Sequence, residues 1–453
     1  MNRSGPGTGT GSAVDTGAAF WLPQLLLPRP GIDLRKWAVV ACDQYTSEPQ
    51  YWQQLRREIG DAASTLHLIF PEAYLGADDA ARRIARIQAT MQRYLAEGVL
   101  VEHHGTVLVE RRSGAHTRRG LMLELDLEHY DFSATSKSLI RPTEGTIVER
   151  LAPRIEVRRG AALELPHILV LIDDPLRTVI EPVAAGRDAL HPLYDTELLA
   201  GGGHLSGFAI GAAQAGAVQR ALLALIEPQA FAARLAVPPG TAPMLFAVGD
   251  GNHSLATAKA IWQQSRNALG PTHPSRYALV EVVNIHDEAL VFEPIHRLLF
   301  GVHGDVHAAL AERFAAKLRI TDVPDAAAMR QRVRVAVAPL QAFGIVGPGA
   351  RFAVAEIADA PAPLPVGTLQ GFVDDFIARG GAADVDYVHG DDVLERLGQQ
   401  QGQIGLHLAT VPKSELLRRV LLDGPLPRKA FSMGEAHDKR FYFEARRIRD
   451  VAA

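Results

Sequence analysis

A carboxylate, a glycine, an amide, an imidazole and a hydroxyl follow one another at Asp250, Gly251, Asn252, His253 and Ser254. Asp250 can hold Mg²⁺ or accept a proton, and His253 can donate to a phosphate oxygen or act as acid or base. Gly251 has no Cβ, so a ligand can come close to the backbone there. The flanking residues define what must position this set. Residues 244–248 are apolar without alternation, the pattern of a buried strand, whereas Leu255, Ala258, Lys259 and Trp262 recur at helical spacing. A strand turning into a helix here aims the unbonded N–H groups of the first helical turn at the turn's occupant, and phosphate is the natural candidate. The same residues also fit a plainer reading, in which Asp-Gly is a hairpin dipeptide and Ser254 caps the helix.

The chain has 453 residues, 47% of them hydrophobic, and a formal net charge of -4, which fits a globular protein with room for two or three domains. This balance speaks against a basic nucleic-acid binder, and no helix-turn-helix pattern stands out. No apolar run reaches the length of a membrane span. The single cysteine, Cys42, excludes an intramolecular disulfide and fits a reducing cytoplasm; after the apolar Ala38 to Ala41 it reads as a buried structural thiol. Arg82, Arg83, Arg86 and Arg93 share one predicted helix and read first as a solvated face, second as a polyanion site. Residues 1–17, rich in Gly, Ser and Thr, are expected to form a disordered tail.

Along the chain, residues 37–41 and 66–70 read as short strands, and residues 51–59 and 78–97 as helices. Residues 99–101, 106–110 and 120–126 read as strands in antiparallel succession, with turns at Gly105 and at Ser113-Gly114. A basic helix up to Arg159 and a buried strand over residues 167–172 follow, then a second glycine-rich turn, Gly201 to Gly203, before His204. The fold class expected from this alternation is α/β with a mixed sheet. A main domain over residues 18–324 carries the site, and residues 325–453 form a smaller α+β domain, where motif content falls away.

Further groups able to do chemistry sit at predicted strand ends or loops: Glu144, His286, Asp287, His296 and Arg297. None of these groups, nor Asp250 and His253, falls at a tight metal-ligand spacing, so Mg²⁺ held with phosphate fits better than a transition metal. Ser206 and Ser254 lack a nucleophile-elbow context, which disfavours a serine hydrolase.

Several segments recur in an order that resembles the large family known as domain of unknown function 1015. They are Val39-Val-Ala-Cys42-Asp43-Gln44-Tyr45, residues 64–72 ending in Pro71-Glu72, and Ile140-Arg-Pro142-Thr143-Glu144-Gly145-Thr146. His204-Leu205, residues 248–254, Val283-Asn284 through Pro294-Ile295-His296-Arg297, and Leu426-Pro427-Arg428-Lys429 complete the series. The Asp-Gly-x-His turn is also similar to the motif before a helix in the free serine kinases, ParB-type nucleotide-binding domains and sulfiredoxin. That resemblance implies a ParB/sulfiredoxin-like nucleotide-binding core, with Asp250 near catalysis or metal and Gly251, Asn252 and His253 on phosphates. Two departures matter. The common turn ends His-His-Arg, and here Asn252 and Ser254 replace its first His and its Arg, which removes a bidentate phosphate contact. The family's Pro-His-Glu-x-Thr becomes Pro142-Thr143-Glu144-Gly145-Thr146, with an imidazole lost.

The reading that joins these observations is a cytoplasmic phosphotransferase. It binds a nucleoside di- or triphosphate with Mg²⁺ at Asp250 and acts on a small hydroxylated metabolite; serine is the first substrate implied by the resemblance. In it Glu144 is the base for the acceptor hydroxyl, and His253 neutralises developing charge. Ser254, His204 and His296 complete the binding set, and Arg154 or Arg297 supplies the missing cation; Lys259 is a further candidate for that role. Two alternatives stand beside it: a nucleotide-responsive binding protein without net chemistry, and a phosphatase of a small phosphorylated metabolite. Neither nucleic acid nor membrane is expected as partner.

Overall fold

Apolar residues alternate along the strands of the first unit and cover both faces of one sheet. In the computed structural model, which describes residues 19–46, 48–427, 429–434, 439–440 and 443–449, Leu108, Leu121, Leu123 and Leu125 enter one core. Val107, Val109 and Met122 enter the core on the opposite face. The expected tail over residues 1–17 lies outside the described residues.

The chain divides into two units, Met1–Leu290 with Glu435–Ala453, and Val291–Gly434. In hydrogen-bonded order the large sheet of the first unit runs Ile140–Pro142, Phe246–Asp250, Leu169–Ile172, Tyr277–Asn284, His116–Asp126, Val107–Ser113, His204–Ala209, His191–Glu197. Phe20–Trp21 adds to His116–Asp126. The sheet is mixed: Phe246–Asp250 runs parallel to Ile140–Pro142 and antiparallel to Leu169–Ile172. The second unit is built on a separate antiparallel sheet, in the order Leu318–Val323, Arg351–Ile357, Gln341–Gly347, Gln403–His407, Phe292–Phe300, Asp384–His389, with Phe431–Met433 beside Phe292. The architecture is therefore mixed α/β, with two large sheets and two two-stranded ones.

The division falls between Leu290 and Val291, earlier than the expected 324/325 boundary. The physical reason is the second sheet, which begins at Phe292 and already contains Leu318–Val323, so a cut at 324 would sever it. Two local expectations also change. Residues 65–67 form a 3-10 turn where a strand was expected. Leu100–His104 pairs with Gln24–Pro28 and not with the following strand, while Val107–Ser113 and His116–Asp126 form the expected hairpin.

The chain's last described segment returns to the first unit. Ala445 bridges to Leu26, and Ile448 donates to the Ala162 carbonyl at 3.0 Å. Glu444 is fully buried there; Tyr194 Oη donates to its Oε1 at 2.7 Å, and the Tyr194 and Phe443 rings stack at 4.4 Å. Burial pushes the Glu444 carboxyl up to about 7. Its folded-state pKa lies above the ordinary 4.5, so the folded protein keeps this proton longer than the unfolded chain. The stabilisation is therefore full below about 4.5 and is lost as pH rises to about 7. Glu444→Gln is expected to flatten that decline, worth on the order of 3 kcal/mol, in urea unfolding series between pH 4.5 and 8. A slope identical to wild type would contradict it.

Candidate functional site

Parallel pairing brings the site's first two carboxylates to one sheet edge. Phe246 aligns with Ile140 and Val248 with Pro142, and both the N–H and the Oγ1 of Thr143 bond the Val248 carbonyl, at 3.2 and 2.7 Å. Both strands thus run out at the same carboxyl end of the sheet, where open α/β sheets present ligands, and Glu144 follows there as Asp250 does on its neighbour. A register irregularity between Val248 and Asp250 precedes the turn. Gly251 then takes a left-handed conformation, φ +77°, and a Cβ there would lie 2.9 Å from Ile168 Cγ1. The helix Asn252–Leu269 follows, fixed by the buried Leu255, Ala258 and Trp262. Lys259 is buried and donates to the Leu127 carbonyl at 2.7 Å, so it is spent on structure and does not replace the missing guanidinium.

The cation at the turn is Lys439. Its Nζ lies 3.0 Å from Asp250 Oδ2, while Asp250 Oδ1 accepts the Gly251 N–H at 2.8 Å. Lys439 arrives because Val40 and Arg440 form an antiparallel bridge and Ala41 donates to the Lys439 carbonyl at 2.7 Å. This bridge also presents Asp43. Burial works to lower the pKa of Lys439, but the carboxylates of Asp250, Asp43 and Glu144 outweigh it and hold the ammonium above its ordinary value. Burial likewise works to raise Asp43, yet His167, Lys439 and a hydrogen bond from Gln44 keep it below the usual carboxylate range. Beside them Arg154 pairs with Glu72 at 2.5 Å. Burial, reinforced by Asp43, still holds the Glu72 carboxyl above its ordinary value. Burial and then the neighbouring Asp43 and Glu72 push the Cys42 thiol well up, which fits a structural thiol and not a nucleophile.

At the helix start, Ser254 Oγ is 2.9 Å from His167 Nε2. Asn252 is 8% exposed, and its Oδ1 has no hydrogen-bond partner among the described residues. The arrangement offers helix N–H groups, an ammonium and three carboxylates along one edge. It can hold an anion at the helix and Lys439.

Of the residues expected in the site, Asp250, Gly251, Asn252, His253, Ser254 and Glu144 belong to this edge, and Arg154 adjoins it through Glu72. His204 does not: four strands separate its strand from Phe246–Asp250, and its ring is taken by Asp195 and Glu197 at 2.5 and 2.9 Å. His296 and Arg297 belong to the second unit. Arg297 is fully buried and donates to Gln370 and to the carbonyls of Ile295 and Lys429, a structural role. His296 meets Asp391 and His407, whose candidate ligand atoms all lie within 4.8 Å. Leu408 N–H donates to His296 Nδ1, which leaves the proton of the neutral ring on Nε2, 3.0 Å from Asp391. That tautomer suits a hydrogen-bonded His–Asp–His cluster better than a metal ligand.

Lys439, Asp43, Glu72 and His167 join the site without having been singled out for it. Asp43 and Glu72 fall within the segments quoted above for the family, which was a usable signal; Lys439 carries no local pattern. Asp250→Ala removes both the acceptor for Gly251 N–H and the counter-charge of Lys439, and is expected to cost about 2–4 kcal/mol. Asp250→Asn keeps an acceptor oxygen and costs less; urea unfolding of both variants checks the order. Gly251→Ala is expected to lose about 1–3 kcal/mol through the left-handed backbone and the Ile168 contact, read in the same experiment.

A family model described as "Protein of unknown function (DUF1015)" matches residues 26–374. No curated protein matches. Among solved structures, a mutant free serine kinase in complex with AMP is 11% identical with a TM-score of 0.36, over 69% of this chain and 86% of that one. The C-terminally truncated SbnI from Staphylococcus aureus is 10% identical with a TM-score of 0.33, over 69% and 82%. A conserved hypothetical protein from Pyrococcus furiosus is 12% identical with a TM-score of 0.33, over 69% and 89%. These structural likenesses are remote. The family match spans most of the chain, and the protein belongs to the DUF1015 family of proteins of unknown function.

Proposed function

We propose that this protein is a nucleotide-dependent phosphotransferase acting on a small hydroxylated metabolite, an amino acid such as serine being the first candidate. The observation that carries the reading is the turn at Asp250. There a left-handed glycine opens a helix N-terminus beside a Lys439–Asp250 ion pair, with Asp43 and Glu144 in the same field. The first-turn N–H groups and Lys439 would take phosphate oxygens, and the buried Asn252 Oδ1 offers an acceptor to a ligand hydroxyl or amine. Mg²⁺ would be held by the Asp250 carboxylate, with phosphate oxygens and water completing its shell, since that ion needs only one or two carboxylates from the protein. When bound, it would supply charge neutralisation between phosphates. Glu144 accepts the proton of the attacking hydroxyl, and Lys439 with the helix dipole stabilises charge on the transferring group.

The engagement of both Asp250 oxygens gives the reading its sharpest consequence. Oδ1 is spent on Gly251 and Oδ2 on Lys439, so a cation at Asp250 must share or displace the ammonium. Nucleotide and Mg²⁺ are therefore expected to bind together and not singly.

Thermal unfolding of wild type and Asp250→Asn with ADP, ATP, CTP, GTP and inorganic phosphate, each with and without Mg²⁺, tests this. The expected result is a Mg²⁺-dependent stabilisation by at least one nucleotide, about 2.7 kcal/mol at a hundredfold excess over Kd, that Asp250→Asn abolishes. Absence of a shift with every nucleotide would remove the phosphotransferase reading.

A further inference from the structure

The first unit contains a cavity of about 580 Å³ that the site above does not use. The helix Ala80–Ala96 supplies Arg83, Arg86 and Arg93 to its wall, the helix Pro49–Ile59 supplies Arg56, and His67 sits between them. At 1.5 Å rise per residue the three arginines of the longer helix form a stripe about 15 Å long on one face. Arg56 comes from the other helix, so the cations converge on a concavity and do not simply radiate into solvent. Leu66, Ile69, Phe70 and Ile87 make the remaining wall apolar, which strengthens the field inside.

The charges in this cavity are not balanced. Arg83 is held in place by Asp79 at 2.8 Å and lies over the Tyr74 ring at 4.1 Å; Arg93 reaches Glu97 at 3.7 Å. Neither Arg56 nor Arg86 has a carboxylate partner among the described residues, and Asp61 is the one carboxylate in the wall. Burial first, and then the like charges of Arg86 and Arg83, hold the Arg56 guanidinium below its ordinary value against the smaller opposing pull of Tyr74. His67 Nε2 is a buried atom with no hydrogen-bond partner among the described residues. A merely solvated basic face would not need a cavity, a half-buried guanidinium or an orphaned ring nitrogen.

We propose that this cavity binds an extended polyanion, a chain of two or more linked phosphates, free or esterified. Guanidinium groups bind phosphate oxygens bidentately, and a stripe of this length exceeds what one carboxylate or one orthophosphate can satisfy. The Arg56 and Arg86 guanidinium groups hold the chain, Arg83 is prepositioned by Asp79, and His67 Nε2 faces a ligand hydroxyl or, once protonated, a phosphate oxygen.

Calorimetric titration of the full chain in the absence of Mg²⁺, which silences a turn that takes nucleotide only with that ion, using inorganic orthophosphate, tripolyphosphate and ATP, tests the assignment on wild type, Arg56→Ala, Arg86→Ala, Arg82→Ala and Asp250→Asn. The exposed Arg86 leaves the fold intact if Arg56→Ala does not, and circular dichroism checks this. Tripolyphosphate is expected to bind more tightly than orthophosphate, with affinity falling about tenfold or more in Arg56→Ala and Arg86→Ala. Arg82→Ala, 83% exposed and outside the wall, and Asp250→Asn should leave it unchanged. Retention of ATP affinity in Asp250→Asn, lost in Arg86→Ala, identifies an esterified chain as a ligand of this cavity; tripolyphosphate binding without ATP binding identifies a free one. No tripolyphosphate binding, equal binding by Arg86→Ala and wild type, no preference over orthophosphate, or loss in Asp250→Asn alone would each overturn the proposal, the last by moving the anion to the helix turn.

Discussion

Arg446 carries its charge at 1% exposure, and it does so because every direction around it is answered. Glu164 lies at 2.7 Å and Glu124 at 3.7 Å, and the remaining donors reach the carbonyls of Pro274 and Tyr277. A charge with no water to fall back on tolerates very little displacement, so this cluster fixes the position of the segment that contains it. The same segment places Ala445 against Leu26 and Glu444 beneath Tyr194. A few residues earlier it brings Arg440 to Val40 and Lys439 to Asp250. The ammonium at the candidate site thus belongs to the same returning stretch of chain as this buried cluster.

The two places in the first unit proposed to take anions have opposite electrostatic character. At the turn, Lys439 stands among Asp250, Asp43 and Glu144, an excess of acid that admits an anion best in company with a cation. In the arginine-lined cavity the excess is basic, and an anion can enter alone. The chain links them directly, since Ile69 to Pro71 line the cavity and Glu72, the next residue, is the partner of Arg154.

Much of the geometry of the candidate site was legible in the sequence because its core is local. An unalternating apolar run, a glycine and a helical repeat are enough to place Asp250 and Gly251 between a strand and a helix, and the structure has Phe246–Asp250 and Asn252–Leu269 there. The hairpin Val107–Ser113 with His116–Asp126 was legible for the same reason. What was not legible depends on pairing between distant residues. Nothing near Leu100 announces Gln24–Pro28 as its partner, and nothing near Lys439 announces Asp250. His204 and His296 read as site residues because their motifs are polar and follow glycine or proline; their carboxylate partners, Asp195 and Asp391, show that such residues can equally be structural. The boundary near 325 was misplaced because a fall in motif content marks where chemistry thins out, not where a sheet ends.

The second unit runs from Val291 to Gly434, and just inside its two ends Phe292 and Met433 are cross-strand partners. Once that sheet has formed, the whole insertion spans little more than the gap between neighbouring strands. Lys439 must then find Asp250 across a short effective loop, and the entropy of closing it is modest despite the intervening sequence. During synthesis the order is forced: Asp250 leaves the ribosome with its counter-ion still untranslated, and the inserted unit is complete before Lys439 appears. The first unit therefore waits for the second, and a nascent chain halted inside the insertion would carry an acidic turn with no ammonium to answer it.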